Sequence, residues 1–339
     1  MKLSYASNAV LSKARAMYGK KLSEKNYNDL LTCRTISDIV NYLKRKTTYR
    51  EVLDNINEHH VHRSELESAL KSRLIVDFGV LARYDISVGE HFYEYLISRV
   101  EVEQIMHSLI FMTAGKEIKF NLPEFFYEHT KIDLKNLNKI KNYSDFLKII
   151  KKSDYYKILK EFENNIDITI IETELHNYSH KIIFKTIDKY LCKKAKLELK
   201  KFFSLYIDLS NLVRIVRMKK FYNLSYEYMS KILLDGGNLT REKLNMFINS
   251  EDNKQMMNDM KSISIGKKWF SRDLDIVDKV PVNMKFNWCK HNIRFSTHSA
   301  IVLISYIFLK EIEILNLITI IEGVKYKLSP DEIKKMLIK

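Results

Sequence analysis

One six-residue pattern occurs three times along the chain, at intervals close to a third of its length. The copies are Val100–Ile105, Ile207–Leu212 and Ile312–Leu317, so their starts lie 107 and 105 residues apart. Each copy reads apolar, acid, apolar, any residue, amide, apolar. Solenoid repeats have periods of about 20–50 residues. This much longer period predicts small repeated domains instead.

Two further comparisons return the same period. The segment Ser37–Leu53 resembles Ser144–Leu159, which begins 107 residues later. Without a gap, Leu22–Lys44 keeps the apolar positions of Leu239–Lys261 at an offset of 217 residues, about two periods. We interpret the chain as a tandem triplication, with approximate boundaries at 1–116, 117–222 and 223–339.

The repeated domains are expected to be all-α. Only 8 Gly and 3 Pro occur in 339 residues, and this scarcity favours long helices with few turns, while the 46% apolar content excludes a disordered chain. Ser23 and Thr240 stand where helix N-caps are expected, and Ser329–Glu332 combines a cap, a Pro and a following Glu. Thr169–Phe203 lacks Gly and Pro and predicts one helix of 35 residues.

Three features bear on the cellular environment. The cysteines, Cys33, Cys192 and Cys289, are too far apart to suggest a disulfide framework, which fits a reducing compartment. The N-terminal residues contain no continuous apolar segment of the secretory type. The longest apolar run, Ala300–Leu309, is half the ~20 residues that a membrane span needs, so it predicts a buried helix.

The chain carries a formal charge of +15 with a pI near 9.4. Such a charge is compatible with nucleic acid, anionic lipid or an acidic protein as partner. The simpler interpretation is that lysines, mixed with acids along every helix, serve as ordinary solvent-facing residues. The total charge therefore does not choose a partner.

Catalytic and metal motifs are weak. The two Gly-Lys pairs, at Gly115 and Gly266, lack the rest of a phosphate-binding loop, and the adjacent glycines of Leu233–Thr240 favour a turn. The cluster of His59, His60 and His62, with Glu58 and Glu65 nearby, could hold a metal only with further ligands. Cys289, His291 and His298 form no recognisable nucleophilic site. We expect no catalytic residue, metal or cofactor.

The acids of the repeated pattern are better explained by structure than by catalysis. Glu101, Asp208 and Glu313 occur once in each copy, and one active site does not need three copies of an acid. The amides Gln104, Asn211 and Asn316 follow each acid by three residues, and amides can bond exposed backbone. The pattern therefore predicts a helix junction built three times.

Three segments carry a resemblance to a known family: residues 5–53, Asn211–Leu244 and Glu311–Leu337. They resemble the central-stalk C subunits of bacterial and archaeal V-type (A/V-type) ATPases, whose eukaryotic counterpart is the d subunit of the V-ATPase. The resemblance runs in order from about residue 4 to 338.

The resemblance implies three similar helical domains arranged around a pseudo-threefold axis as a funnel or socket. It implies a non-catalytic rotor subunit of the central stalk, peripheral to the membrane on its cytoplasmic face. The expected partners are the D and F subunits of the central axle and the membrane proteolipid ring, with no nucleic acid and no small-molecule substrate. In that role the protein couples the rotating axle to ion transport and ATP synthesis or hydrolysis.

Two other functions compete with this one. The net charge would suit a basic helical nucleic-acid-binding protein, although no helix-turn-helix or basic-aromatic groove stands out. The histidine cluster would suit a metal hydrolase, which would purify with bound metal.

Overall fold

The computed structural model describes residues 2–54, 56–57, 63–88, 92–116, 130–137, 139–191, 193–222, 224–269 and 274–339. Throughout these residues the regular structure is helical and no strand occurs, which confirms the all-α prediction. The described α-helices, in chain order, are α1 Lys2–Gly19, α2 Glu24–Leu31, α3 Ile36–Lys46, α4 Arg50–Leu53, α5 Arg63–Val88, α6 Phe92–Thr113, α7 Leu134–Leu137, α8 Tyr143–Ile150, α9 Tyr155–Leu159, α10 Ile168–Tyr190, α11 Lys193–Phe221, α12 Tyr226–Lys231, α13 Arg241–Asn249, α14 Asn253–Ser262, α15 Ser264–Trp269, α16 Val280–Phe295, α17 Ser299–Lys325 and α18 Pro330–Met336. Short 3-10 segments occupy Lys160–Phe162 and Leu274–Lys279.

Three short helices, α2, α13 and α18, begin at the side-chain caps that the sequence predicts. Ser23 accepts a hydrogen bond from the Asn26 amide, and Thr240 accepts one from Lys243. Ser329 and Glu332 form a reciprocal capping box with Pro330 at the first helical position. Each cap satisfies a backbone N–H that has no partner inside its own helix, which fixes where the helix starts.

The predicted single helix across Thr169–Phe203 is wrong, because the chain folds back after Tyr190. Leu191 is buried in an extended conformation, and Lys193 has a φ of 48°, which costs a non-glycine residue roughly 1–2 kcal/mol. The resulting hairpin packs Phe184 of α10 against Phe203 of α11, with ring centroids 6.4 Å apart. Burial of these apolar faces offsets the strain that the turn requires.

The chain divides into two compact units. The first joins Met1–Gly89 to Lys285–Lys339, and the second is built mainly from Glu90–Phe120 and Glu124–Met284. In the first unit α17 packs against α1 and α5. Its core consists of apolar residues of α2 to α5, α17 and α18. The second unit pairs α6 with α10 and packs α13 and α14 against α11.

Polar contacts reinforce the core of the first unit. Buried Asp77 of α5 accepts a hydrogen bond of 2.6 Å from the Tyr306 hydroxyl on α17 and pairs with Arg73 at 3.0 Å. A Cβ placed on Gly323 would lie 2.4 Å from Cγ1 of Ile333, so α18 lies directly on α17 at this glycine. The first unit is therefore centred on α17.

Ala300–Leu309 lies within α17 and is buried along its whole length, which confirms the predicted buried helix. Within the described part of the chain, no helix combines the length and the apolar character needed to cross a membrane.

His180 of α10 is a buried histidine whose pKa is lowered to about 3. Burial is the main cause, and the nearby Arg99 and Arg214 side chains lower the pKa further because they are positively charged. Below about pH 6.5 the unfolded chain protonates this imidazole while the folded chain does not. The His180 contribution to stability is therefore present above pH 6.5 and is lost as the pH falls towards 3.

Replacing the His180 imidazole should make the unfolding free energy less dependent on pH below about pH 6.5. When the pH is lowered from 7.5 to 5.0, the unfolding free energy of the unsubstituted protein should fall because its unfolded state takes up a proton at His180. In His180→Leu this uptake is absent, so the fall should be about 2 kcal/mol smaller. Urea unfolding at both pH values measures the difference. His291→Gln, at an exposed histidine, is the control. Equal losses in all three proteins would contradict the assignment.

Candidate functional site

The three acids of the repeated pattern all lie buried where a long helix meets short helices. Glu101 lies on α6, Asp208 on α11 and Glu313 on α17, and their exposed fractions are 1%, 0% and 7%. Buried carboxylates need hydrogen-bond donors or counter-charges. The donors at each junction therefore show what the pattern does.

Asp208 binds the backbone just before α13. Its Oδ1 accepts a hydrogen bond of 2.9 Å from the Leu239 amide, and its Oδ2 accepts one of 3.0 Å from the Asn238 amide. Leu239 directly precedes the N-cap Thr240. The carboxylate thus binds the two backbone amides that immediately precede the N-cap of α13.

Gly237 makes this approach possible. A Cβ on Gly237 would lie 2.1 Å from Oδ1 of Asp208, which is far inside van der Waals contact. The preceding Gly236 has a φ of 100°, a conformation that favours glycine. The glycine pair therefore forms a turn, as predicted, and the turn closes around the buried acid.

Glu313 does the same for α2. Its Oε2 accepts a hydrogen bond of 2.8 Å from the amide of Leu22, which precedes the N-cap Ser23. Its Oε1 accepts from the Tyr49 hydroxyl at 2.8 Å and from Nζ of Lys310 at 2.6 Å. Tyr49 and Lys310 are themselves buried, so the carboxylate is surrounded by donors.

Glu101 completes the set at the segment before α7. Its Oε1 accepts from the Lys131 amide, and its Oε2 accepts from the Tyr155 hydroxyl at 2.7 Å. The Ile132 amide also contributes a hydrogen bond. The equivalent backbone positions, Ile132 here and Leu239 in the next copy, are 107 residues apart.

The pattern's amides hold a second piece of backbone. Asn211 donates to the Leu234 carbonyl at 2.9 Å and accepts from the Leu234 amide at 2.8 Å. Asn316 makes the same pair of bonds with Ile338, both at 2.9 Å. Gln104 is half-buried on α6. The predicted role of the pattern as a helix junction agrees with the contacts of Asn211 and Asn316.

The electrostatics of the junctions reflect burial. Burial raises the pKa of Glu101, and the Tyr155 hydroxyl and backbone amides partly oppose the rise. Burial also raises the pKa of Asp208, against the amides of Leu239 and Asn238. These carboxylates contribute most to stability below their ordinary pKa values and less as the pH rises through the folded-state values. Their lone pairs are occupied by structural donors, so the arrangement suits helix anchoring.

The other candidate residues are dispersed. Cys289 is fully buried on α16, while His291 is exposed and stacks near Phe295 with ring centroids 5.0 Å apart. His298 lies at the start of α17. Burial raises the pKa of the Cys289 thiol, which opposes nucleophilic reactivity. Within the described ranges, no three His, Cys, Asp or Glu residues are grouped to hold a metal.

The histidine cluster of the sequence, His59, His60 and His62, lies outside the described residues, as does Glu58, while Glu65 is exposed on α5.

Four junction residues were not identified from sequence: Tyr49, Tyr155, Gly237 and Lys310. A signal existed for the two tyrosines, because they lie 106 residues apart within the segments whose similarity defines the repeat. Lys310 had no such signal, since the corresponding residue of the first copy is Ser98.

Adding a methyl group at Gly237 should disrupt the Asp208 junction. We expect Gly237→Ala to reduce the unfolding free energy by about 2–4 kcal/mol, because the carboxylate must leave its backbone donors. Gly19→Ala is the matched control, since a Cβ there meets nothing within 4 Å. Chemical unfolding of both variants tests this, and equal stabilities would contradict it.

Removal of the Asn211 amide should have a comparable effect. Asn211→Ala leaves the buried N–H and C=O of Leu234 unpaired, so we expect a loss of about 2–4 kcal/mol. The neighbouring Ser210→Ala should change stability by less than about 0.5 kcal/mol, since among the described residues the Ser210 hydroxyl bonds only the Tyr206 carbonyl of its own helix. Thermal and urea unfolding distinguish the two, and a neutral Asn211→Ala would show that the amide bonds are dispensable.

Comparison with known proteins places the chain in a family. The family model for the ATP synthase (C/AC39) subunit matches residues 10–336. Similar proteins include the C subunit of the A-type ATP synthase of Methanosphaera stadtmanae, 22% identical over 96% of this chain and 86% of that protein. The same subunit of Desulfurococcus sp. is 23% identical over 96% and 88%, and that of Methanosarcina acetivorans 25% over 97% and 91%. Because the family model covers nearly the whole chain, this protein belongs to the ATP synthase (C/AC39) subunit family.

Proposed function

We propose that this protein is a non-catalytic rotor subunit of the central stalk of an A/V-type ATPase or ATP synthase. In this role it acts as a socket that couples the rotating axle, made of the D and F subunits, to the membrane proteolipid ring during ion transport. The observation that carries the proposal is the family match across residues 10–336, combined with a junction built three times. The relatives named above are C subunits of A-type ATP synthases.

The junctions suit a part that transmits torque. Each anchors a short helix to a long one through buried hydrogen bonds, as Asp208 does for α13. Packed interiors resist compression, and buried polar networks with satisfied donors hold one arrangement. An applied load would therefore pass between helices with little deformation.

The acids themselves are committed to structure. Glu313 accepts hydrogen bonds from Leu22, Tyr49 and Lys310, which leaves little capacity for a substrate. A socket with three similar walls also explains why the pattern recurs, since each wall needs its own junction. This supports a non-catalytic role.

The proposed location is the cytoplasmic face of the membrane, with the three domains 1–116, 117–222 and 223–339 around a pseudo-threefold axis. The net charge of +15 suits acidic partner surfaces or lipid headgroups. The nucleic-acid-binding alternative gains nothing from the family match.

Reconstitution with and without this chain tests the proposal. The complete ATPase in sealed liposomes should pump ions when ATP is added. Omission of this chain should leave ATP hydrolysis by the soluble sector but reduce ion pumping to background, and adding the purified chain back should restore pumping. Add-back of Glu251→Ala, at an exposed acid, is the control. Undiminished pumping in the omitted preparation would refute the coupling role.

A further inference from the structure

A cavity of about 380 Å³ lies beside the Glu313 junction, within the first unit. Its walls include the aromatic side chains of Tyr18, Tyr27 and Phe286 and the apolar side chains of Leu309 and Ile312. This volume falls in the range of small-molecule sites, which are concave and mostly apolar with few polar groups. The cavity is thus of a size and character that suit a ligand.

The wall of the cavity beside Glu313 is held by hydrogen bonds. Leu22 and Glu313 both line the cavity, and the hydrogen bond of 2.8 Å between them holds this part of its wall in place. The Tyr49 hydroxyl holds the other oxygen of the same carboxylate at 2.8 Å.

The rim of the cavity is cationic. Lys21, Lys290 and Arg294 line it and are exposed, so the cavity opens to solvent beside them. Across the part of the chain that the structure describes, none of the three is paired with a carboxylate. The two lysines contact aromatic rings: Nζ of Lys21 lies 4.7 Å from the Tyr18 ring centroid, and Nζ of Lys290 lies 5.2 Å from that of Phe286. Arg294 interacts with the Tyr18 hydroxyl. Glu24 is the acid at the same rim.

A buried ammonium group lies deeper in the lining. Lys310 is 5% exposed, and its Nζ donates to Glu313 at 2.6 Å and lies 5.4 Å from the centroid of the Tyr49 ring. An ammonium group has three N–H donors. Among the described residues only the Glu313 carboxylate accepts one, so a donor remains for a polar atom of a ligand.

We propose that this cavity binds a small anionic amphiphile, with an apolar or aromatic body against Phe286 and Ile312 and an anionic head at Lys290 and Arg294. Apolar burial supplies affinity, and cations that have no carboxylate partner among the described residues supply selectivity for a negative head. A free fatty-acid anion and a detached anionic lipid share this chemistry. The proposal is independent of the coupling role.

Binding is measured with the full-length protein and 8-anilinonaphthalene-1-sulfonate, an anionic aromatic probe whose fluorescence rises in apolar sites. We expect saturable binding of one probe per chain and competition by decanoate. Decanol, which has the same chain without the charge, should compete at least about tenfold more weakly because it cannot form charge-assisted contacts. Vesicles of anionic phospholipid form a second arm, which distinguishes a lipid source from a free fatty acid.

Charge reversal locates the site. Lys290→Glu/Arg294→Glu should weaken decanoate binding at least about tenfold, and Lys21→Glu, outside any helix, should weaken it in the same direction. Lys254→Glu/Lys261→Glu, at two exposed lysines of α14, makes an equal change of net charge and should leave the affinity within about twofold. Far-ultraviolet circular dichroism and melting temperature verify that each variant is folded.

Three outcomes would overturn the proposal. The first is equal competition by decanol and decanoate. The second is an unchanged affinity for decanoate in the folded variants of Lys290 and Arg294. The third is the absence of saturable binding of both 8-anilinonaphthalene-1-sulfonate and decanoate. The last result would favour a segment of a partner protein as the occupant of the cavity. None of these outcomes bears on ion pumping in the reconstituted ATPase, so the two proposals can fail separately.

Discussion

The fold depends on a buried carboxylate on a long helix that binds the backbone just before a short helix. The first N–H groups of a helix have no partner within it, and a buried unpaired N–H costs about 1–3 kcal/mol. Ser23 and Thr240 cap α2 and α13 from inside the short segments, while Glu313 and Asp208 bind the amides one residue earlier. The acid thus fixes both where the short helix begins and where it lies on the long helix.

The three junctions meet the cost of burying an acid in different ways. Glu101 and Glu313 each accept a hydrogen bond from a tyrosine hydroxyl, and Glu313 also accepts one from the ammonium group of Lys310. Asp208 has a shorter side chain, so the backbone must approach it more closely, and Gly237 permits that approach. A common pattern in sequence therefore allows different local chemistry, provided that every lone pair facing the interior has a donor.

Sequence reasoning predicted what depends on local pattern and missed what depends on tertiary contact. The all-α class, the caps at Ser23 and Ser329 and the buried helix at Ala300–Leu309 follow from residue types at fixed spacing, and the structure confirms them. The turn after Tyr190 was missed because neither Gly nor Pro marks it, and the pairing of Phe184 with Phe203 stabilises it from a distance. At the junctions the acid was identifiable because it repeats, whereas Lys310 was not, since it occurs in one copy.

The Glu313 junction differs from the Asp208 junction in the sequence separation of the residues that it joins. Asp208 and Leu239 are separated by 31 residues, while Glu313 and Leu22 are separated by 291. Loop-closure entropy grows with the logarithm of loop length, so the longer closure costs about 2 kcal/mol more for the same contact. The additional hydrogen bonds to Glu313, from Tyr49 and Lys310, offset this larger closure entropy. In the first unit, Glu313 thus joins segments 291 residues apart through the junction that has an ammonium donor besides its amide and hydroxyl donors.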